Sequence, residues 1–389
     1  MTSDALSFHL FLIFTGAALM ATIALFARQA MIVAYIALGL LLGPAALNLV
    51  PDAEVITQMS NIGIIFLLFL LGLNLHPQKL ATLFRSTALI TLATSVTFGL
   101  IGAGFSLLIG LHLIDAVIVG VAMMFSSTII GLKLLPTTVL HHQHTGEIII
   151  SILLLQDIIA ILCLLFIEAA PTAGAFGFQS LVLLLALPAL IFLARFLQQF
   201  VLARLIEKFD TIQEYIFLLS IGWCLGFSEL AHWAGLSAEM GAFIAGVSLA
   251  TSPIATFIAE SLKPLRDFFL VLFFFALGAS AQVDKMGEIL FAAGALAAIM
   301  VLVKPLLFHY LVAKSGEPAA LSREIGIRLG QISEFSLLIS MLAFNHQLIS
   351  VNAAYLIQAS ALITFVISPY LIVLKYPTPI AVSSHLRRD

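Results

Sequence analysis

Long apolar segments follow one another along the chain, each bounded by charged residues, proline or glycine. A helix needs about 20 such residues to cross a bilayer, so this pattern predicts thirteen transmembrane helices. The ninth is short, and Gly222 and Gly226 interrupt the eighth. The predicted spans are residues 6–27, 31–50, 55–75, 87–110, 113–135, 146–168, 180–201, 211–232, 237–252, 262–281, 288–312, 323–344 and 353–374.

The composition narrows the class of protein. Of the 389 residues, 62% are apolar and 10% are charged, whereas a soluble domain carries roughly 25% charged residues. A soluble enzyme is therefore excluded, and so is an outer-membrane barrel, whose segments would be short and alternating. The net charge of −3 argues against a nucleic-acid partner. We expect an all-α polytopic membrane protein in a lipid bilayer, without enzymatic activity.

Basic residues give the orientation. Among the 17 Lys and Arg, Lys285 lies in an even-numbered connection, and Lys304 and Arg328 lie within predicted spans. The other fourteen flank the odd-numbered connections or the C-terminus. By the positive-inside rule the N-terminus is outside, and residues 375–389 form a short cytoplasmic tail in the cell membrane.

Two pairs of segments resemble each other at a separation of roughly 200 residues, the kind of internal repeat found in transporters. Residues 35–43 (YIALGLLLG) resemble 242–250 (AFIAGVSLA), and 66–72 (FLLFLLG) resemble 272–278 (LFFFALG). Each pair is seven spans apart, so the repeated helices cross in opposite directions. We predict two inverted six-helix repeats, about 6–168 and 211–374, with a linker helix near 180–201.

Two polar clusters mark the expected break points of these repeats. Residues 125–131 (FSSTIIG) lie in the fifth span and 330–336 (GQISEFS) in the twelfth. Hydroxyl and amide groups can satisfy backbone groups freed where a helix unwinds. Helix–helix contacts are the alternative for each cluster alone. Their match, seven spans apart, favours broken fifth and twelfth helices.

The candidate functional residues are the charged side chains that lie near the middle of predicted spans. Asp157 lies at the centre of the sixth span, where a charge costs several kcal/mol unless it faces protein, water or a counter-ion. A cation or proton site is favoured over a fixed salt bridge or a permanently protonated carboxyl. Its neighbour Gln156 offers a carbonyl oxygen, or an interhelical hydrogen bond. Lys304 could neutralise Asp157 or the negative ends of half-helices, and Glu334 could offset their positive N-termini.

Other polar residues are weaker candidates. A histidine cluster invites a metal site, but a solvated loop, or a pH sensor, is favoured. A second cluster would line an outer funnel or mark the membrane interface, and Arg328 would snorkel toward the cytoplasm. The two clusters are His141, His142 and His144, and Glu229, His232 and Glu239.

Residues 153–160 (LLLQDIIA) resemble the LLxQDxxA signature of Kef-type potassium/proton antiporters, in the cation:proton antiporter-2 family. Further matches to that family's pattern extend the resemblance over essentially the whole chain. They are residues 34–39 (AYIALG) with Gly43 and Pro44, 67–77 (LLFLLGLNLHP), 126–128 (SST) and 330–335 (GQISEF).

The resemblance implies a core domain that moves past a homodimeric scaffold domain. It assigns ion binding to Asp157 with Gln156, and the broken-helix hydroxyls to Ser127 and Thr128. Ser126 and Gln331 are expected to give electrostatic support, as are Lys304 and Glu334. Full-length Kef proteins continue into a nucleotide-binding regulatory domain that does not follow here, and residues 72–75 read GLNL where GLEL is common. Glutathione gating is therefore not expected.

The leading hypothesis is exchange of a monovalent cation, first of all K⁺, for H⁺ by competition at Asp157. With one carboxylate in the Gln-Asp pair, this exchange is expected to be electroneutral and to need no cofactor. A sodium/proton antiporter or a sodium-coupled organic anion symporter is the alternative within transport. A gated cation channel or a non-transporting membrane sensor is the alternative outside it.

Overall fold

A computed structural model describes residues 3–27, 29, 31–44, 46–50, 53–74, 77–135, 144–169, 178–209, 211–234, 236, 238–279 and 283–378. Within these ranges the chain is helical, with short connections. The α-helices are α1 (Ser3–Phe26), α2 (Met31–Leu42), α3 (Ala53–Asn74), α4 (Pro77–Leu108), α5 (Leu113–Met123), α6 (Thr128–Lys133), α7 (His144–Ala169), α8 (Phe178–Leu197), α9 (Ala203–Phe209), α10 (Gln213–Trp233), α11 (Ala238–Leu249), α12 (Ala255–Ala279), α13 (Val283–Lys314), α14 (Ala319–Arg328), α15 (Glu334–Asn345) and α16 (Val351–Lys375). A π-helical turn, Gln198–Leu202, joins α8 to α9.

Helix occurs within every predicted span, and seven helices in the described residues are long and apolar enough to cross a membrane. Several others are apolar but shorter, among them α2, α5, α11 and α15. Integral membrane character is therefore confirmed, while the count of thirteen crossings stays a prediction.

Some helix boundaries differ from those predicted. Helix α2 ends at Leu42 instead of residue 50, because Gly43 and Pro44 stop it and the chain folds back through Leu47 N–H to the Leu41 carbonyl (2.9 Å). The predicted interruption at Gly222 and Gly226 is wrong, since α10 runs unbroken through both. A single glycine lowers helix propensity without necessarily ending a helix that tertiary packing supports.

The described helices group into two compact units, each drawn from both halves of the sequence. The first unit comprises residues 1–17, 35–80 and 168–281, and the second comprises 18–34, 81–167 and 282–389. The breaks between α5 and α6 and between α14 and α15 both lie in the second unit.

Glycines set two close helix crossings in the first unit. A β-carbon on Gly39 of α2 would lie 2.1 Å from the Phe275 carbonyl oxygen of α12, and one on Gly278 would lie 2.1 Å from that of Ile36. Helices α3 and α11 cross in the same way, with Gly72 facing Phe243 and Gly246 facing Phe69. Only glycine lets two backbones approach this closely.

An apolar cluster packs the second unit around the helix that carries Asp157. Phe98 of α4 meets Phe308 of α13 edge to face, with ring centroids 5.5 Å apart. Ile149 and Ile152 of α7 belong to the same buried cluster, as does Leu329 just after α14. This packing fixes α7 against α4, α13 and α14, the helix that precedes the second break.

Candidate ion-binding site

The backbone leaves the helix between Met123 and Thr128, as the polar cluster predicts. The freed groups find partners on α7: Ser126 N–H donates to Gln156 Oε1 (3.0 Å), and Gln156 Nε2 donates to the Met124 carbonyl (3.3 Å). The Ser127 hydroxyl accepts from Ile130 N–H (3.1 Å) and so caps the start of α6. The interhelical role considered for Gln156 is therefore the one its contacts display.

Asp157 and Thr128 meet directly at this break. The Asp157 side chain is 1% exposed, and the Thr128 hydroxyl lies 3.1 Å from both of its carboxylate oxygens. A carboxylate and a hydroxyl are oxygen ligands that suit a hard monovalent cation, and the carboxylate can alternatively hold a proton. Residues from two different helices thus form one small oxygen-lined position.

The second break, between Arg328 and Glu334, is built in a similar way. Ser333 caps α15 by accepting from Phe335 N–H (3.1 Å), and Ile332 N–H donates to the Thr364 hydroxyl of α16 (3.1 Å). Gln331 connects the two breaks, because its Nε2 donates to the Ser127 carbonyl (3.2 Å).

Lys304 joins both breaks from α13. It is 0% exposed, and its ammonium donates to the Phe125 carbonyl (2.5 Å) and the Gln331 carbonyl (3.2 Å), with the Ser126 hydroxyl at 3.5 Å. Phe125 and Gln331 follow the last residues of α5 and α14, where carbonyl groups carry partial negative charge. Of the two predicted roles, these contacts match neutralisation of half-helix ends. In the described residues Lys304 forms no ion pair with Asp157.

Glu334 brings a second carboxylate near the first. It is 3% exposed in the first turn of α15, where an acidic side chain is favoured by the helix dipole. It is also close enough to Asp157 for the two charges to interact. The sequence placed Glu334 at a half-helix N-terminus but gave no indication that it approaches Asp157.

The two breaks correspond residue by residue at a separation of about 206 positions, consistent with an internal repeat. Ser127 and Ser333 cap the two half-helices, and the carbonyls of Phe125 and Gln331 receive the same ammonium. Sequence reasoning missed Ser333, Thr364 and Ser368, the last of which donates to Gln331 Oε1 (3.0 Å). Applying the repeat separation to Ser127 would have identified Ser333, whereas the position that corresponds to Thr364 is Ile158, which gives no such signal.

The weaker candidates lie elsewhere. Residues 141 and 142 are outside the described residues, whereas His144 begins α7 and contacts Glu317 (2.9 Å) and Glu147 (3.3 Å). Glu229 and His232 are exposed. Among the residues that the structure describes, no cluster of His, Cys, Asp and Glu could hold a metal ion.

The expectation that Arg328 snorkels is wrong. Its side chain is 0% exposed, and its guanidinium contacts Glu324 Oε1 (2.8 Å) and the carbonyls of Leu134 (3.0 Å) and Pro377 (2.9 Å). Partners distant in sequence hold the charge inside the protein, so it does not reach for water.

Comparison with known proteins identifies the family of this chain. The family model for the transmembrane sodium/hydrogen exchanger matches residues 12–373. The chain is 31% identical over 344 residues to the glutathione-regulated potassium-efflux system protein KefC of Klebsiella pneumoniae and 33% identical over 345 residues to that of Salmonella typhi. Each match covers 84% of this chain and 54% of the relative, so the chain spans about half the length of these relatives.

A solved structure shares the fold. The sodium proton antiporter from Methanocaldococcus jannaschii is 18% identical, with a TM-score of 0.66 and 95% of each chain covered. The chain therefore belongs to the transmembrane sodium/hydrogen exchanger family, and the Kef-type resemblance indicated by its motifs is confirmed.

Proposed function

We propose that this protein exchanges a monovalent cation, K⁺ in the first place, for H⁺ at Asp157. The observation that carries the proposal is a buried carboxylate with a hydroxyl partner from a broken helix and no Lys, Arg or His within ion-pair distance in the described residues. A fixed salt bridge, the main structural alternative, has no support in these contacts.

The energetics of burial make the carboxylate a coupling device. An unpaired charge at mid-membrane costs several kcal/mol, so Asp157 is stable in a buried state only when it holds a proton or a cation. Both ligands compete for the same oxygens, because cation binding requires the deprotonated form. Alternating access of a loaded site to the two sides of the membrane then produces exchange.

The surrounding residues have distinct proposed roles. Thr128 supplies a hydroxyl ligand, and Ser127 and Gln156 hold the break that presents it. Lys304 and Ser126 satisfy buried carbonyl groups that follow α5 and α14, and Gln331 satisfies the Ser127 carbonyl at the first break. Cation exchange at this position requires no resident cofactor.

The preference for K⁺ rests on the relatives. KefC proteins are described as potassium-efflux systems, and about a third of the aligned positions are identical. The Methanocaldococcus jannaschii antiporter is described as sodium/proton coupled, and its 18% identity supports the fold alone. Sodium therefore remains the alternative cation in the test.

We further propose thirteen crossings in two inverted repeats, with the N-terminus outside and a homodimeric assembly. Three close contacts between helices support the repeats. They join Gly39 with Gly278, Gly246 with Gly72, and Gly120 with Gly99. The first two are equivalent at the separation of about 206 positions, and the third matches the contact of Gly326 with Pro305. A reporter fused after Asp389 that is active only outside the cytoplasm would contradict the orientation.

The decisive experiment is proton-coupled flux in proteoliposomes with K⁺, Na⁺, Li⁺ or choline outside. Exchange predicts that a transported cation added outside enters the lumen as protons leave it, so that the lumen becomes alkaline, and that choline has no effect. A cation current that is independent of the pH gradient would instead identify a channel. Binding without flux would identify a sensor.

A further inference from the structure

Arg328 lies at the end of α14, and its contacts exceed what its charge alone requires. One carboxylate, that of Glu324 one turn earlier, already supplies a counter-ion (2.8 Å). Two carbonyl groups far away in sequence also accept from it: Nη1 donates to Leu134, and Nη2, which also contacts Glu324, donates to Pro377. A guanidinium presents five donors in a fixed plane, so it can hold several acceptors in one geometry.

The Leu134 carbonyl is the far end of the short helix that carries Thr128. Helix α6 has six residues, Thr128–Lys133, and Leu134 follows it. At 1.5 Å per residue it spans about 9 Å, with the Asp157 contact at one end and Arg328 at the other. A helix of this length is not stable by itself, so contacts at its two ends determine where it lies.

The Pro377 carbonyl belongs to the segment that follows α16. Its neighbour Tyr376 places its ring 5.6 Å from the Arg328 guanidinium, and Thr378 is buried. Burial, reinforced by the charge of Glu324, raises the pKa of the Tyr376 phenol. One side chain therefore contacts both the C-terminal segment Tyr376–Thr378 and α6.

We infer that Arg328 is a positioning residue that couples the segment Tyr376–Thr378 to the cation site through α6. A displacement of that segment moves the guanidinium, then the end of α6, and finally the Thr128 hydroxyl against Asp157. Cation affinity thereby becomes sensitive to whatever acts on the chain beyond α16. The effect on cation affinity rests on the proposed exchange at Asp157. The mechanical connection from Tyr376–Thr378 through Arg328 to α6 does not depend on transport.

The test uses four variants of the full chain, and one combination of two of them, in lipid nanodiscs and proteoliposomes. Arg328→Gln removes the charge and most of the donors, and Arg328→Lys keeps an ammonium that can reach one carbonyl. A third variant replaces residues 376–378 by Gly-Gly-Ser. The matched control is Arg323→Gln, the same chemical change at an exposed position of the same helix.

The first readout is hydrogen exchange of the α6 amides. Arg328→Gln and the replaced segment are both expected to accelerate it on the order of tenfold, Arg328→Lys less, and Arg323→Gln not at all. Combining Arg328→Gln with the replaced segment should add nothing further, because both break one link. Unchanged α6 exchange in Arg328→Gln, or fully additive effects, would overturn the inference.

The second readout is the kinetics of cation-driven proton flux. We expect a severalfold higher KM for the cation with kcat largely retained in Arg328→Gln, and partial rescue in Arg328→Lys. A lower thermal stability with unchanged KM would make Arg328 a purely structural residue. If the unsubstituted protein shows no flux, the proposed function fails. Hydrogen exchange of the α6 amides then still shows whether Arg328 connects Tyr376–Thr378 to α6. If Arg328→Gln does not fold, Arg328→Lys and the replaced segment provide the same comparison.

Discussion

Phe125 and Gln331 present their carbonyl oxygens to one ammonium group, that of Lys304, at 2.5 and 3.2 Å. Each carbonyl follows a half-helix whose C-terminal end carries partial negative charge. A single ammonium group thus donates to one carbonyl at each of the two breaks. Under the proposed function, the Asp157 carboxylate is then available to the exchanged cation and proton.

Replacing Asp157 by Asn is expected to abolish exchange and leave the fold intact. The amide keeps the side-chain volume and can still bond the Thr128 hydroxyl, but it loses the charge for which protons and cations compete. Flux in proteoliposomes and a thermal unfolding curve check both parts.

Asp115→Asn is the matched control, because Asp115 is also buried in the second unit, where it accepts from Ser350 N–H (2.8 Å) and Ser350 Oγ (2.7 Å). Losing one acceptor should cost about 1 kcal/mol of stability with exchange retained. Normal exchange by a folded Asp157→Asn protein would refute the mechanism.

Lys304→Ala should alter pH dependence and thermal stability more than cation selectivity. Two buried carbonyls lose their donor, at about 1–3 kcal/mol each, and the electrostatic environment of the site changes. The same substitution at Lys314, exposed at the end of α13, should stay within about 0.5 kcal/mol. A clean switch of selectivity at unchanged stability would make Lys304 part of the ion filter.

Gly246→Ala should destabilise the first unit strongly. The new methyl group would lie 2.1 Å from the Phe69 carbonyl oxygen, so the backbones of α3 and α11 must separate. Overpacking of this kind costs about 1–3 kcal/mol or more. Gly226→Ala in α10 has no neighbouring atom within 4 Å, and it should leave stability unchanged or raise it by up to about 1 kcal/mol. Equal unfolding temperatures for the two variants would contradict the close crossing.

Exchange is expected to ignore membrane potential. If Asp157 carries either one proton or one monovalent cation, no net charge moves, although one elementary charge crossing 100 mV is worth roughly 2.3 kcal/mol. Proton flux is measured with the potential clamped by an ionophore whose ion the protein does not carry. An equilibrium point that shifts with voltage would show net charge movement. It would indicate a second proton carrier, with Lys304 and Glu334 as the buried candidates.

Composition was enough to predict a membrane protein, and the match of two polar clusters seven spans apart was enough to predict breaks at 125–131 and 330–336. They could not predict that the Arg328 side chain is buried, because its burial depends on carbonyl groups 194 and 49 positions away. Nor could they predict which partner Gln156 binds, because a side-chain amide can bind an ion or hydrogen-bond to the backbone equally well. The positions of the Met124 carbonyl and the Ser126 N–H in the folded chain decide between the two.

The Lys304 ammonium lies 5.1 Å from the centre of the Phe98 ring. Under the proposed repeat relationship, Phe98 and Lys304 occupy the same position in the two halves of the chain, at the separation of about 206 residues. Side chains from both halves therefore converge on one point, and two ammonium groups there would repel each other. If the two halves are repeats, lysine can therefore stand in only one of them at this position, and the difference between Phe98 and Lys304 is a physical requirement for a single central cation.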